Sequence, residues 1–419
     1  MLGESRGWEY STIRDLLLSV LSNKEKQQSI CATFDHQNLV FEQLTQSAYS
    51  VAASLKSYDL VGICMRPSFE LIITLCAVVL RGIPYVPLEP SLPCQRLQYM
   101  INDSQISLMI IEDSFVDQYH FENVKTMTYS QMNSTMQINN SEMNQVNSED
   151  TFCLMYTSGS TGQPKGVHLP HRALLNRLQW QWSRFLFDEH DICCLKTSIS
   201  FVDSIGEIFA ALLQFVPIVI LPKTVLLNLE QLTDVLRTKH VTRIILVPSL
   251  LAALIEHLKV DNVKSLPNLR MITSSGGVLS LDLIESFFKI KNNKLSSTCL
   301  LLNLYGSTEV MADVTFEIFD SIDNLYEQLS FDGHTSIGRP IDNINIEIVD
   351  MDECGVGELV VRGRGVANGY HRQHTDSKFI RDNQGNMQFY TGDLGKIFND
   401  RIIFYGRQDN QVNEVEIFI

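Results

Sequence analysis

The 419-residue sequence is short of positive charge: 33 lysines and arginines stand against 48 aspartates and glutamates, a formal net charge of −15. Nucleic acid and anionic membrane both select a basic face, so neither is expected as the main partner. No Cys-x-x-Cys pair is present. The nine cysteines, Cys31, Cys64, Cys76, Cys94, Cys153, Cys193, Cys194, Cys299 and Cys354, are scattered, which excludes a zinc knuckle and a dithiol redox motif. Their odd number and apolar neighbours predict reduced, buried thiols in a cytoplasmic protein. There is no long apolar run either. The most apolar stretch, Ile208 to Pro222, is interrupted by Gln214 and Pro217; it is too short for a bilayer and predicts a buried helix followed by a strand. The opening residues MLGESRGWEYSTIRD hold no basic region followed by an apolar core, so no secretory leader is expected there. The N-x-S/T triplets at Asn102, Asn133 and Asn139 are then expected to be accidental. Internal repeats are absent.

What is present is ordinary folded composition, 45% hydrophobic and 19% charged, in a chain long enough for two or three domain-sized units or one large composite core. Residues 43–57 have helical apolar spacing, and Leu60 to Met65 reads as a buried strand. Residues 68–81 predict a helix ended by Gly82. Ile106 to Ile111, Val241 to Val247, Leu269 to Thr273 and Leu300 to Leu304 predict further strands, with a helix over Ser249 to His257. This alternation predicts an α/β fold of mostly parallel sheets covered by helices. Residues 130–150, rich in Asn and Ser, predict a surface loop. From about residue 335 short alternating runs appear between glycines: Ile344 to Asp350, Gly357 to Arg362, Lys396 to Phe398 and Arg401 to Tyr405. These predict a small antiparallel β-subdomain.

The most informative segment is Thr151-Phe-Cys-Leu-Met-Tyr-Thr-Ser-Gly-Ser-Thr-Gly-Gln-Pro-Lys-Gly166. A buried strand enters a loop of glycines and hydroxyl residues closed by Lys165. Glycines let backbone N–H groups turn inward and hydroxyls add donors, so Thr157, Ser158, Gly159, Ser160, Thr161 and Gly162 can wrap phosphate oxygens with Lys165 as a mobile cation. No Walker A pattern can be written here. The nearest candidate for a dinucleotide fingerprint, Gly363-x-Gly365-x-x-x-Gly369, has the wrong spacing.

Tyr156-Thr-Ser-Gly-Ser-Thr-Gly-x-Pro-Lys-Gly166 resembles the signature of the acyl-adenylate-forming superfamily, which includes acyl-CoA synthetases, luciferases and nonribosomal-peptide-synthetase adenylation domains. Further motifs follow in that family's order: Arg81-Gly-Ile-Pro-Tyr-Val-Pro-Leu-Glu-Pro90 with Arg96-Leu-x-Tyr99, Asn303-Leu-Tyr-Gly-Ser-Thr-Glu309, Gly357-Glu-Leu359, Tyr390-Thr-Gly-Asp393, and Gly406-Arg-x-Asp-x-Gln-Val412. The resemblance runs from about residue 40 to residue 412. It implies that Tyr305 stacks on adenine, that Asn303 faces the adenine amino edge, and that Thr308 contacts the α-phosphate. It further implies that Glu309 holds Mg²⁺, that Asp393 accepts the ribose hydroxyls, and that Arg407 lies beside it near a hinge. The implied chemistry uses ATP: a substrate carboxylate attacks the α-phosphorus and pyrophosphate leaves, with Thr308, Glu309 and Lys165 as the catalytic set. Positioning and cation stabilisation carry such a step.

In the family it resembles, members that take α-amino acids usually carry an aspartate directly after the aromatic residue matching Phe201. Here that position is Val202 and the carboxylate comes one residue later, at Asp203. By alignment the remaining pocket positions are Gly206, Leu246, Ile272, Ser274, Leu304, Ala312 and Asp313. This set resembles the pocket of domains that select β-alanine, and among them the insect β-alanyl-amine synthases of the ebony type. Asp203 and Asp313 are then expected to face an ammonium one methylene farther from the carboxylate. The alternative for Asp203 is a helix N-cap for the segment Ile205 to Leu213.

The resemblance divides the chain into a core over residues 1–405, with the β-subdomain at about 335–405, and a hinge remnant at 406–419. Beyond Gln411-Val412 the family continues into a lid domain whose lysine bridges the substrate carboxylate and AMP. The residues Asn413 to Ile419 do not supply that lid, nor a carrier domain with its phosphopantetheine. The expectation is a β-alanine-activating core whose carrier partner lies downstream or in trans. The alternatives are a carboxylic-acid–CoA ligase core and a lidless nucleotide-binding protein without turnover.

Overall fold

The computed structural model describes residues 1–7, 10–55, 58–116, 118, 121–132, 144–157, 163–322, 325, 334–372, 378–383 and 385–408. Two large sheets and one small one organise them. The first large sheet has six strands in the order Lys125–Thr128, Leu108–Ile111, Val61–Cys64, Tyr85–Pro87, Thr151–Thr157 and Lys165–Pro170. All neighbours in it are parallel except the last pair, a hairpin. Val61–Cys64 and Leu108–Ile111 are buried at every position, as strands covered on both faces must be.

The helix that follows Val61–Cys64 shows how local chemistry sets its limits. Ser68 caps it, its hydroxyl accepting from the Leu71 amide at 3.1 Å. Phe69–Arg81 then ends at Gly82, which takes the left-handed conformation at φ 72° that a side chain would make costly. The helix expected over residues 43–57 runs from Phe41 to Ala53. Its start is drawn back to Phe41 by the Gln43 side chain, which accepts from the Val40 amide at 3.2 Å.

The second large sheet has ten strands. Arg243–Leu246, Met271–Ser274 and Leu300–Tyr305 are parallel. The sheet then turns antiparallel through Thr315–Phe319, Ser336–Pro340, Arg401–Arg407, Met387–Phe398, Gly357–Gly363 and Ile344–Val349, with Phe379–Arg381 beside Met387–Phe398. The antiparallel strands expected from residue 335 are therefore hydrogen-bonded into this sheet: Ser336–Pro340 pairs with Thr315–Phe319 on one side and Arg401–Arg407 on the other. A four-stranded sheet, Gln37–Val40, Ile30–Phe34, Ile218–Ile220 and Cys193–Leu195, completes the set.

The apolar stretch from Ile208 is the expected helix and strand, but the helix begins at Asp203 and ends at Leu212. Between Asn144 and Asp150 no helix or strand forms, as expected for the Asn/Ser-rich segment; Tyr129–Met132 at its start is helical, and residues 133–143 lie outside the described residues. The thiols depart in part from expectation. Cys31, Cys64, Cys76, Cys153, Cys194 and Cys299 are buried, whereas Cys94 and Cys354 are exposed, because Cys94 opens a surface helix and Cys354 sits in a turn. Burial pushes the Cys31 and Cys64 thiols up to about 12, which makes them unreactive. Among the described residues no helix is long and apolar enough to cross a membrane.

Candidate functional site

A cleft of about 1160 Å³ opens where the two large sheets meet. Its walls are built from residues at the carboxyl ends of strands: Met65 after Val61–Cys64, Thr157 at the end of its strand, Val247 after Arg243–Leu246, Ser275 and Gly276 after Met271–Ser274, and Gly306 after Leu300–Tyr305. Ligands bind at such ends in open α/β sheets because loops there diverge and leave a crevice. Of the residues singled out in the sequence, Thr157, Lys165, Val202, Asp203, Thr308, Glu309, Ala312, Asp393 and Arg407 line it. Ser158, Gly159, Ser160, Thr161 and Gly162 lie outside the described residues, as do Gln411 and Val412.

At one end, the turn after Leu300–Tyr305 is tightly folded. A Cβ on Gly306 would stand 1.7 Å from the Ala312 carbonyl oxygen, so only glycine fits. A short helical turn, Thr308–Val310, follows, and then two non-glycine residues in the left-handed region, Met311 at φ 59° and Ala312 at φ 72°. Two such residues in succession store strain where the cleft wall is shaped. Glu309 accepts from the Tyr370 hydroxyl at 2.8 Å, and its backbone carbonyl accepts from the Ala367 amide at 2.9 Å. The Lys165 ammonium stands 5.0 Å from the centre of the Tyr370 ring, a cation–π contact.

Two side-chain donors hold the Asp393 carboxylate, and its amide is bonded in turn. The Tyr305 hydroxyl donates to one oxygen at 2.6 Å and Arg407 to the other at 2.8 Å; the Thr391 hydroxyl accepts from the Asp393 amide at 3.0 Å. A carboxylate oxygen has two lone pairs, so these two bonds do not by themselves exclude ribose hydroxyls. Burial, then the nearby Asp393 charge, raises the Tyr305 phenol well above its usual range. Tyr305 and Asn303 do not line the cleft directly. The Tyr305 ring lies against Phe404, centroids 5.9 Å apart, and the Asn303 amide donates inward to the Ser336 carbonyl at 2.9 Å.

The other end is a buried charged wall. Asp203 is the first residue of helix Asp203–Leu212. Val202 holds the cap position, and no side-chain cap bond forms there, so the capping alternative finds no support in the geometry. The Asp203 carboxylate accepts from the Ser275 hydroxyl at 3.3 Å, and the same hydroxyl lies 3.4 Å from Asp313. Asp313 does not stand open to the cleft as expected. Arg177 donates to it twice, at 2.6 and 2.8 Å, and both side chains are buried. Beneath Asp203, Lys196 is 3.4 Å from Glu207. Glu207 also accepts from the Lys196 and Thr197 amides at 3.0 and 2.9 Å and from the Thr197 hydroxyl at 2.9 Å. Three carboxylates and two cations thus leave this wall one negative charge in excess when all are ionised. Burial pushes the Asp203 carboxyl up, Asp313 and Glu207 add to the rise, and Lys196 and Arg177 oppose it.

The remaining expected pocket residues lie deeper. Leu246, Ile272 and Ser274 are in the sheet and fully or nearly fully buried. Gly206 and Leu304 line a separate cavity of about 40 Å³ on the far side, together with Arg177 and Glu207. Arg177, Lys196, Glu207, Ser275 and Tyr370 escaped the sequence reading. The available signal was charge inside apolar helical spacing: Arg177 between Leu174 and Leu178, and Glu207 between Ile205 and Ile208.

The residues present suit a nucleotide with a hard cation. The Ser307 hydroxyl, beside Thr308 and Glu309 in the wall, is buried with no partner among the described residues; such a group is normally satisfied by a ligand or water. Glu309 flanked by Ser307 and Thr308 is a sparse oxygen set, which suits Mg²⁺ shared with substrate phosphates.

The profile of the AMP-binding enzyme family matches residues 21–371. The chain belongs to this family. Among characterised proteins it is similar to the β-alanyl-bioamine nonribosomal peptide synthetase ebony of Drosophila melanogaster, with 33% identity over 374 residues, 84% of this chain and 42% of that protein. Its fold matches the nonribosomal peptide synthetase FmoA3 in its α-methyl-L-serine-AMP-bound form, with TM-score 0.85, 21% identity, and 99% of this chain against 47% of that one. The N-terminal subdomain of Klebsiella oxytoca NpsA, in complex with 3-hydroxyanthranilyl-AMSN, gives TM-score 0.79 and 22% identity over 95% of this chain and 100% of that one. The chain therefore spans less than half the length of the first two of these relatives.

Proposed function

We propose that this chain is the nucleotide- and substrate-binding core of an ATP-dependent amino-acid adenylating ligase, and that its amino acid is β-alanine. The reading is carried by Asp203: a carboxylate one position past Val202, facing the cleft, with Asp313 already neutralised by Arg177. The wall then has one unmatched negative charge to offer. A buried carboxylate needs a cationic partner, and an ammonium displaced along the substrate supplies one. A fatty or aromatic acid, the substrate of a CoA ligase, would leave Asp203 uncompensated.

In the proposed reaction the substrate ammonium pairs with Asp203, which holds the carboxylate towards the opposite end of the cleft. There Lys165 and the Thr308 hydroxyl receive the phosphates, and Asp393 accepts from the ribose hydroxyls while Arg407 and Tyr305 keep its carboxylate oriented. The adenine rests on the Tyr305 side with Asn303 behind it. A substrate carboxylate oxygen attacks the α-phosphorus, the bond to the β-phosphate oxygen breaks, and pyrophosphate leaves. Glu309 would hold Mg²⁺, which when bound neutralises the charge that builds on the departing phosphates. The protein contributes orientation and fixed charge, which carry most of the barrier reduction in phosphoryl chemistry. The acyl group would pass next to a carrier-domain thiol, supplied elsewhere in a longer protein or in trans, and then to a biogenic amine, as the name of the Drosophila relative says of that protein.

The test is calorimetric binding of β-alanyl, α-alanyl and acetyl adenylate analogues that cannot be hydrolysed. A β-alanyl preference of about tenfold, or about 1.4 kcal/mol, lost in Asp203→Asn, supports the reading. Tight binding without preference retains the adenylate-forming core and removes β-alanine. Tighter binding of the acetyl analogue would favour the CoA-ligase alternative.

A further inference from the structure

Residues 366–371 cross from the ten-stranded sheet to the six-stranded one and are hydrogen-bonded on both sides. The Ala367 amide donates to the Glu309 carbonyl at 2.9 Å, the Asn368 amide to the His168 carbonyl at 2.9 Å, and the His371 amide to the Gly166 carbonyl at 2.7 Å; the Gly369 carbonyl accepts from the His168 amide at 3.0 Å. Arg172 clamps the same segment, donating to the Val366 carbonyl at 2.7 Å and to the Asn368 side chain at 2.9 Å. Backbone bonds thus tie the strand that begins with Lys165 to the turn that carries Glu309. These two charged residues come from different sheets, 144 positions apart in sequence, and the strap between them presents Tyr370 to both. The Tyr370 hydroxyl donates to Glu309 Oε1 at 2.8 Å, and the Lys165 ammonium lies over the Tyr370 ring at 5.0 Å. The ring edge is fixed from behind by Phe379, centroids 5.0 Å apart and planes at 81°.

We propose that Tyr370 is a positioning residue that couples the cation-binding carboxylate to the phosphate-binding lysine. Its hydroxyl selects one orientation of Glu309 by occupying Oε1 and directing Oε2 to the cation. Its ring seats the Lys165 ammonium on the side of the cleft where the phosphates arrive. The coupling matters because Glu309 and Lys165 carry opposite charge and would otherwise be free to pair with each other, which would withdraw both from the ligand. A tyrosine ring between them, donating to one and offering its π face to the other, satisfies both without letting them neutralise each other. The inference rests on the reading of Glu309 and Lys165 as cation and phosphate ligands given above.

Calorimetric titration of the chain with ATP in Mg²⁺, with ATP in chelator, and with AMP tests it. The unaltered protein should bind ATP more tightly in Mg²⁺; no such enhancement would overturn the reading of Glu309 itself, and the coupling with it. Tyr370→Phe keeps the ring and removes the hydroxyl. It should reduce the Mg²⁺ enhancement by about tenfold, the worth of a hydrogen bond to a charged group, while AMP affinity and metal-free ATP affinity stay at the level of the unaltered protein. Tyr370→Leu should lower metal-free ATP affinity as well, because the seat of Lys165 is lost. In a Glu309→Gln background Tyr370→Phe should have no further effect on the Mg²⁺ response. The proposal is overturned if Tyr370→Phe leaves the Mg²⁺ enhancement intact, or if it weakens ATP and AMP equally with and without metal. The second result would mean that the tyrosine only supports packing.

Discussion

The two ends of the cleft are built on different principles. The end proposed to take the nucleotide is made of short motifs at strand termini, and its side chains meet through backbone-anchored turns: Gly306 to Ala312, Thr391 to Asp393, and the strap at 366–371. The end proposed to take the acyl substrate is made of single charged residues from separate helices and loops: Arg177 pairs with Asp313 and Lys196 with Glu207 in a buried set, and Asp203 accepts from the Ser275 hydroxyl beside them. The first arrangement tolerates change in any one side chain because the backbone holds the rest. The second does not, since removing one member of either ion pair leaves a buried charge without its partner.

The sharpest way to break this contrast is at Arg177. Arg177→Met should destabilise the fold by about 3–5 kcal/mol, the cost of stranding a buried partner, read as a fall in the urea midpoint at unchanged slope. A loss below about 1 kcal/mol would mean that Asp313 takes up a proton or water and that the charged wall is no more fragile than the nucleotide end.

Next in size is Asp203→Asn, which should leave the fold as stable or more stable while β-alanyl-adenylate affinity falls by about tenfold or more. The pH dependence follows from the same residue. Its carboxyl is raised in the folded protein, so between the ordinary value of about 3.9 and the raised one the folded state holds a proton that the unfolded state has lost. The Asp203 contribution to stability therefore falls as pH rises through that window. Affinity for an ammonium ligand changes in the opposite sense, rising as Asp203 ionises. Chemical denaturation and ligand titration at matched pH values check both slopes, and Asp203→Asn should flatten both.

At the nucleotide end effects should be smaller. Tyr305→Phe removes the 2.6 Å bond to Asp393 and should cost about 1.5 kcal/mol of stability, with AMP affinity reduced by less than about tenfold because Arg407 still orients the carboxylate. The smallest effect is expected for Ala312→Gly. The left-handed conformation at φ 72° costs a side chain about 1–2 kcal/mol, and the greater freedom of unfolded glycine offsets about 0.4–1 kcal/mol of that relief. A melting temperature equal to or slightly above that of the unaltered protein is the outcome expected from thermal denaturation.

Much of the architecture was legible in the residues alone. Phe69–Arg81 is bounded by Ser68 and Gly82, and each does locally what its chemistry predicts. The continuous apolar runs at Val61–Cys64 and Leu108–Ile111 mark strands covered on both faces. Less legible were elements whose limits depend on neighbours, such as the helix that starts at Asp203 rather than Ile205. The joining of the antiparallel strands to the parallel sheet was also hidden, because strand pairing is a relation between segments. At the site, the ordered motifs pointed to Thr157, Lys165, Thr308, Glu309, Asp393 and Arg407, which the cleft brings together. Asp313 was read as a second carboxylate for the substrate because Arg177, 136 positions away, carries no motif of its own.

The sequence by itself determined the element types, the order of the motifs and the residues able to meet a nucleotide, because caps, apolar runs and glycine-rich turns act over a few residues. Tertiary structure alone decided which charges cancel and which carboxylate is held by a neutral donor. Arg177 with Asp313, Lys196 with Glu207 and Tyr370 with Glu309 are matched only when helices, strands and the strap converge on one cleft. Whether a buried carboxylate stands ready for a ligand depends on which partners the fold has already given it.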